Sequence, residues 1–321
     1  MADLTSAVNT VAVSTPDGRR LAVETAGRAG GPAILVHSGT PNCRHLYAPW
    51  VRDAQERGAW LISYDRPGYG ESTPHPGRRV ADAAADSAAV AEALGIERFA
   101  TWGLSGGGPH ALACAALLPD RVSAAAAIGS IAPYGAPGLD FFSGMGQENV
   151  DDIHLMLNDP EGARRKTGED REAMLAMSLE ELRRADPTLV SAADAAVLAG
   201  PFGEHFHRCV QDGLAPGAEG WIEDGEAHLA PWGFALDEIR VPVRVWHGGQ
   251  DQFVPFAHGQ WLAAHIPRAQ SSFSDADGHL TVVDRRIAEV HDWLLGSSHA
   301  TTRRRVHAPA GDRPHAAGPT D

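Results

Sequence analysis

The stretch Ala100-Thr101-Trp102-Gly103-Leu104-Ser105-Gly106-Gly107-Gly108-Pro109-His110 decides how this chain folds. Phe99 to Trp102 can extend as a strand, and the Ala- and Leu-rich run from Ala111 to Leu118 reads as a helix, so Ser105 falls at a strand-to-helix turn. A G-x-S-x-G segment suits that turn. The glycines at 103 and 107 remove side chains where strand and helix nearly collide, and a tight turn leaves the serine hydroxyl standing above the sheet. Ser105 is therefore a candidate nucleophile. The pentapeptide alone carries little, since its residues are common and a polar turn before a helix reads the same way; its meaning rests on partners elsewhere.

Working upstream, Ala59 to Tyr64 and Pro32 to His37 are short apolar runs without alternation, the pattern of strands covered on both faces. Val11 to Thr25 reads as a hairpin around Pro16-Asp17-Gly18, and Val80 to Leu94 as a helix closed by Gly95. Downstream, Val122 to Ile128 adds a strand. From about Pro133 the rhythm turns helical, with segments Asn149 to Leu157, Asp170 to Ala185 and Ser191 to Ala199, and no strand-like run appears before Val241. Val241 to Trp246, a helix from Ala257 to His265, a strand at Gln270 to Ser274 and a last helix to about Leu295 resume the alternation. The class is α/β with a doubly wound sheet. Residues 1–133 and 237–296 are expected to form the core, 134–236 a helical cap, and 297–321 a disordered tail.

A serine hydroxyl needs a base, and the base needs a third group to fix its tautomer. Asp251 follows a buried strand through Gly248-Gly249, and His279 follows the next strand through Gly278, so both emerge at the sheet edge where Ser105 stands. The order Ser, Asp, His suits this turn type. Rival bases fit less well: His258 and His265 lie in a predicted helix, and His247 precedes the acid on its own strand. Asp275 and Asp277 stand too close in sequence to His279 to approach its ring from the side. An oxyanion would need N–H donors. Gly106, at the helix start, supplies one; the second comes from the His37-Ser38-Gly39-Thr40-Pro41 loop, with Thr40 the first choice and Gly39 the second, since Pro41 has no N–H.

Taken together, His37-Ser38-Gly39-Thr40-Pro41, Asp65-Arg66-Pro67-Gly68-Tyr69-Gly70, Gly103-Leu104-Ser105-Gly106-Gly107, Asp251 and Gly278-His279 resemble the motifs of α/β-hydrolase-fold enzymes with a helical cap. The resemblance spans most of residues 11–295 and extends to actinobacterial-type esterases and proline-iminopeptidase-like hydrolases. It implies a mostly parallel eight-stranded sheet flanked by helices, a cap over the site, and no cofactor. It also implies that Asp65 and Arg66 pin the loop beside the oxyanion hole and that His37 is structural. A serine nucleophile leaves esterase, lactonase, amidase or C–C hydrolase chemistry open, whereas epoxide- and halide-processing relatives carry Asp there. Ser38-Gly39 stands where many relatives have one glycine, which leaves the second donor open. In the cap, Phe141, Phe142, Met145, Trp221 and Trp232 are candidates to line the substrate pocket. Glu148 and Glu204 lie where iminopeptidase-like relatives keep acids for a substrate amine.

Composition narrows the partners. A formal net charge of −14 argues against nucleic acid, whose phosphates need a basic surface. Cys43, Cys114 and Cys209 are odd in number and at no metal-ligand spacing, and His205, His207 and Cys209 fit no zinc motif, so no metal is expected. Met1 to Val13 has no leader pattern and no run is long enough to span a membrane. The expectation is a cytoplasmic serine hydrolase that acts on a small-molecule ester or related acyl substrate; the sequence sets no oligomeric state. An iminopeptidase-like aminopeptidase and a weakly hydrolysing ligand receptor are the alternatives, with cofactor-free oxidation behind them.

Overall fold

A computed structural model describes residues 8–184 and 190–306, the segment 298–306 by its backbone alone. The elements run β1 (Asn9–Ser14), β2 (Arg20–Gly27), β3 (Ala33–His37), α1 (Ala48–Glu56), β4 (Trp60–Tyr64), α2 (Asp82–Ala93), β5 (Phe99–Leu104), α3 (Gly108–Leu117) and β6 (Val122–Ile128). Six helices follow: α4 (Gln147–Asn158), α5 (Pro160–Ala176), α6 (Leu179–Arg183), α7 (Ala192–Leu198), α8 (Pro201–Leu214) and α9 (Glu219–Leu229). The chain then returns to β7 (Val243–Gly248), α10 (Phe256–His265), β8 (Gln270–Ser274) and α11 (His279–Val306).

The strands form one eight-stranded sheet in the order β1-β2-β4-β3-β5-β6-β7-β8. Only the β1–β2 and β2–β4 pairs are antiparallel. Strands β3, β5 and β6 are buried along their whole length, as strands covered by helices on both faces must be. The pleat sorts their side chains alternately. Ala124, Ala126 and Ile128 join Val36, Trp102 and the α1 and α11 side, while Ala125 and Ala127 join Leu112, Val245 and Leu262 on the other. The alanines of β6 keep both faces shallow, so helices can seat closely. The polar β8 closes one edge, which discourages pairing with another sheet.

Three boundaries differ from the sequence reading. The helix expected at Asp170 to Ala185 is two helices. Asp159 caps α5 by accepting from the Gly162 N–H at 2.9 Å with Pro160 at its first position, and Ser178 with Glu181 forms a capping box that starts α6. Ala185 lies outside the described residues. Helix α11 starts at His279 itself and runs to Val306, past the expected end near Leu295, because neither Gly nor Pro interrupts the chain between Gly296 and Pro309. The rest of the expected disordered tail, 307–321, lies outside the described residues, as do 1–7 of the segment read for a leader.

The helices between β6 and β7 are fastened to the sheet by a buried charge cluster. Asp224 of α9 sees no solvent and binds Arg66 Nη2 at 2.6 Å and Arg78 Nη2 at 2.7 Å, while the Tyr69 hydroxyl (3.0 Å) and the Thr40 hydroxyl (2.7 Å) both donate to its Oδ2. Glu223 takes Arg78 Nε at 3.2 Å. Burial alone would raise the Asp224 pKa; Arg66 and Arg78 overcome it and hold the carboxyl well below the usual range. Removing one partner of a buried pair strands the other charge. Asp224→Ala should therefore lower unfolding free energy by about 3–5 kcal/mol in urea titrations, whereas Glu226→Ala, on the exposed side of the same helix, should stay within about 0.5 kcal/mol of the parent.

Candidate active site

Ser105 sits directly after β5, with φ at +54°, a backbone region that non-glycine residues rarely occupy. Two close approaches permit it. A Cβ at Gly103 would strike the carbonyl of Gly107, and one at Gly107 would strike the carbonyl of His37, so neither position can carry a side chain. A short 3-10 turn, Ser105–Gly107, then leads into α3, whose first N–H groups point toward the turn.

Asp251 and His279, the candidate acid and base, are hydrogen-bonded to each other. Asp251 Oδ1 accepts from the N–H groups of Phe253 (3.0 Å) and Val254 (2.8 Å), which aims Oδ2 at His279 Nδ1, 2.7 Å away. Because a carboxylate only accepts, His279 carries its proton on Nδ1 and leaves Nε2 as the acceptor. The imidazole lies over the end of β6: its Nδ1 is 3.2 Å from the place a Cβ on Gly129 would take. Strand β6 neighbours β5, so the ring and Ser105 occupy adjacent strand ends. The rivals are otherwise engaged. His258 accepts from the Ala132 N–H and donates to the Phe141 carbonyl, and His247 donates to the Val254 carbonyl. His265 is exposed and stacked on Trp261, Asp277 is held by Arg285 and Arg286, and Asp275 is exposed.

The loop that follows β3 lies against the turn. Its Gly39 is so placed that a Cβ would come 3.4 Å from Ser105 Cβ, and the Thr40 side chain abuts Gly106. Arg66 fixes the loop by donating to the carbonyls of Ser38 and Gly39 and to the Thr40 hydroxyl. Asp65 works one step away, accepting from the N–H groups of Arg44 (2.7 Å) and Glu71 (3.0 Å). His37 is buried, and burial followed by the Arg66 charge pushes its pKa down to about 3, so it stays neutral.

Above the turn opens a cavity of about 200 Å³. Thr40, Ser105, Gly106 and His228 form its floor; Ile153, Met156 and Trp221 belong to its apolar walls. At its far side Lys166, the chain's single lysine, stands 3.0 Å from Asp152 and 2.7 Å from Asp170. Of the aromatic and Met candidates, Trp221 alone lines this cavity among the described residues. Trp232 is instead core, packed with Val80 and Leu112, with its indole donating to the His228 carbonyl. Phe141 packs edge-on against His258 at 4.7 Å, Phe142 lies on Phe141 and His154, and Met145 sits in the half-buried turn beside them. Glu148 and Glu204 are both exposed. Cys209 lies 3.5 Å from His205 in a buried site, and among the described residues no group of three or more metal-ligating side chains forms.

Three residues of the helical block escaped the sequence reading. Asp224 anchors the loop after β3 through the Thr40 hydroxyl and Arg66. His228, one turn later, donates from Nε2 to the Gly106 carbonyl at 2.9 Å; burial lowers its pKa and keeps it neutral. Asp194 of α7 accepts from the backbone of His279. Only the four-residue spacing of Asp224 and His228 is visible in the sequence, and it marks a helix face, not a site.

The family model described as alpha/beta hydrolase fold matches residues 32–285. A pimeloyl-[acyl-carrier protein] methyl ester esterase of Aromatoleum aromaticum is 42% identical over 48 residues, 15% of this chain and 19% of that protein, so the chain matches about a fifth of that relative's length. A bifunctional esterase/perhydrolase of Acinetobacter calcoaceticus is 26% identical over 262 residues, 76% of this chain and 83% of that protein. Among solved structures, the enol-lactonase of Burkholderia xenovorans superposes with a TM-score of 0.65 at 20% identity, covering 90% of this chain and 100% of that one, a likeness of fold.

The pKa of each partner follows from their contact. Burial works to raise that of Asp251, but the His279 charge and the hydrogen bonds from His247 and His279 outweigh it and pull it from 3.8 down to about 2. Burial works to lower that of His279, but Asp251, and after it Asp194, raise it above 6.5. The Asp251 contribution to stability is therefore present above its ordinary 3.8 and lost as pH falls through about 2; that of His279 is full below 6.5 and fades as pH rises through its raised value. In a proton NMR titration, the His279 ring signal, assigned with His279→Gln, should titrate above 6.5, and Asp251→Asn should bring it to or below that value.

Proposed function

Because the chain belongs to the alpha/beta hydrolase fold family, we propose that it is a serine hydrolase acting on a small-molecule ester or related acyl substrate. The observation that carries this reading is the joint geometry of Ser105, held at positive φ after β5, and the His279–Asp251 pair over the neighbouring strand end. Ser105 Oγ attacks the carbonyl carbon while His279 Nε2 takes the hydroxyl proton. Asp251 keeps the ring in the tautomer that leaves Nε2 open and stabilises the imidazolium that forms. Negative charge on the former carbonyl oxygen is met by the N–H groups of Gly106 and of Thr40 or Gly39. Collapse expels the alcohol, which takes the proton from His279, and water then cleaves the acyl-enzyme by the same steps in reverse roles.

In this reading the helices between β6 and β7 act as the cap, since α4, α5 and α9 supply the cavity walls. The core is then 1–133 with 237–296 and the cap 134–236. No residue in the mechanism calls for a metal or organic cofactor. Three buried free cysteines suit a reducing, cytoplasmic setting. Among the described residues no helix is long and apolar enough to cross a membrane.

The cavity's charge shapes selectivity. One ammonium facing two carboxylates leaves a net negative charge beside the acyl-binding space, which disfavours a substrate carboxylate. A neutral 4-nitrophenyl butyrate should exceed the 4-nitrophenyl hemisuccinate in kcat/KM by roughly tenfold or more, and Asp170→Asn should narrow the gap. For the chemistry itself, Ser105→Ala should lower kcat on the butyrate by about 10⁶-fold with native circular dichroism, and a fluorophosphonate should label Ser105 by peptide mass spectrometry; retained turnover in the variant would falsify the proposal.

A further inference from the structure

Helix α11 begins with His279, and its own Thr281 hydroxyl accepts only from the Gly278 N–H, ahead of the first helical residue. The residue before it is Gly278, which has no side chain to accept from the first N–H groups. The acceptor comes from the other side of the site. Asp194, on α7 of the helical block, takes the His279 N–H on Oδ2 at 2.7 Å and the N–H groups of Leu280 and Thr281 on Oδ1 at 2.9 Å each, and the Thr281 hydroxyl adds a bond at 3.0 Å. Its carboxylate is fully buried. A Cβ on Gly278 would occupy the carboxylate's place, so the glycine makes room for the clamp.

We propose that Asp194 is a positioning residue for the base: a carboxylate of the helical block that fixes the backbone of His279, and with it the reach of the imidazole toward Ser105. This rests on the serine-hydrolase reading above. Three successive N–H groups on one carboxylate leave the first turn of α11 no freedom to slide, and the partial positive charge of the helix start compensates an acid that has no ion-pair partner among the contacts above. The side chain of His279 is then set at both ends, by Asp194 at its backbone and by Asp251 at Nδ1. Asp194 also adds negative potential that favours the imidazolium, reinforcing Asp251. Around the ring the other groups are Phe253 at 5.2 Å, Gly129 beneath it, and His247, which meets the same Asp251 carboxylate at 3.4 Å; Asp277, on the preceding loop, is neutralised by Arg285 and Arg286.

The consequence is a mechanical link. Helix α7 belongs to the same block as α4, α5 and α9, which wall the cavity, so a displacement of that block would move the base as well as the pocket.

The test compares Asp194→Asn with the parent protein. Asparagine is nearly isosteric and keeps one acceptor, but it loses the charge and turns an N–H₂ toward backbone donors. The expected result is a fall in kcat on 4-nitrophenyl butyrate of about tenfold to a hundredfold with KM changed less than about threefold, and a downward shift of about half a unit or more in the acidic limb of kcat/KM against pH. Native circular dichroism with a lowered urea midpoint but parental kcat and an unshifted limb would reduce Asp194 to a helix cap and overturn the proposal. Should Asp194→Asn fail to fold, Gly278→Ala, which crowds the same carboxylate, is read by the same two quantities. Ser105→Ala separates this claim from its premise: a dead Ser105→Ala beside an unshifted Asp194→Asn overturns the clamp alone, and an active Ser105→Ala overturns the hydrolase reading.

Discussion

One carboxylate that never meets water, that of Asp224, governs how the sheet and its helical block can sit together. A buried ion costs several kcal/mol in lost hydration, and attraction offsets that cost only when every lone pair finds a donor. Here the donors are two guanidinium groups, a phenol and a hydroxyl, all from the core, and Glu223 brings the local charge of Arg66, Arg78, Asp224 and Glu223 to zero. Helix α9 thus has few other ways to dock. Arg66, held by Asp224, spends its remaining N–H groups on the carbonyls of Ser38 and Gly39, which fixes the peptide planes of the loop beside Ser105. Charge balance in the block therefore reaches the loop beside Ser105 through two bonded contacts.

The turn at Ser105 is the complementary constraint from the sheet. Parallel strands β3, β5 and β6 deliver their carboxyl ends to one edge, and the closely packed glycines let β5 reverse into α3 without displacing β3. A serine at positive φ is strained, and packing on both sides holds it there. Above the turn, His228 bonds the Gly106 carbonyl and so orients the peptide that follows the candidate nucleophile. Both loop and turn are consequently braced by residues of α9, which also walls the cavity.

The parts legible in the sequence are those with local signatures. Buried strands read as unbroken apolar runs, and the turn with its glycines, Asp251 after Gly248-Gly249 and His279 after Gly278 all stand where a strand ends. Strand order then brings them to one edge without further information. Residues whose role depends on where a helix lands were not legible. Asp194 and Asp224 look like any two acids in a chain with 41 of them, and Lys166 like a surface lysine, until tertiary packing buries or confines them. The aromatic candidates divide for the same reason: Trp221 lines the cavity, whereas Trp232 and Phe141, apolar enough for either a pocket or a core, are sent to the interior by the docking of α9 and α10. Helix α11 continues beyond Leu295 because no Gly or Pro breaks the chain from Ser297 to Val306, whereas composition reports only the absence of an apolar face.

Asp194 and Asp224 together alter how the inserted helices should be regarded. An insertion that merely covered a site could be joined to the core by apolar contact, as Phe202 is when it packs edge-on against Tyr47 at 5.2 Å. Apolar contact is non-directional and tolerates sliding. Hydrogen bonds to buried carboxylates do not, because a shift of one ångström leaves a buried donor or acceptor unpaired. The block places one such carboxylate against the loop that follows β3 and the other against the first turn of the helix that carries His279. On the serine-hydrolase reading proposed above, the cavity walls of α4, α5 and α9 and the alignment of Ser105, His279 and the loop after β3 are properties of one inserted block, with α9 serving both and α7 adding the contact to His279. On that reading selection among substrates acts on the rate of the chemical step and not on binding alone, because a ligand that displaces α9 or α7 displaces the loop beside Ser105 or the backbone of His279 with it.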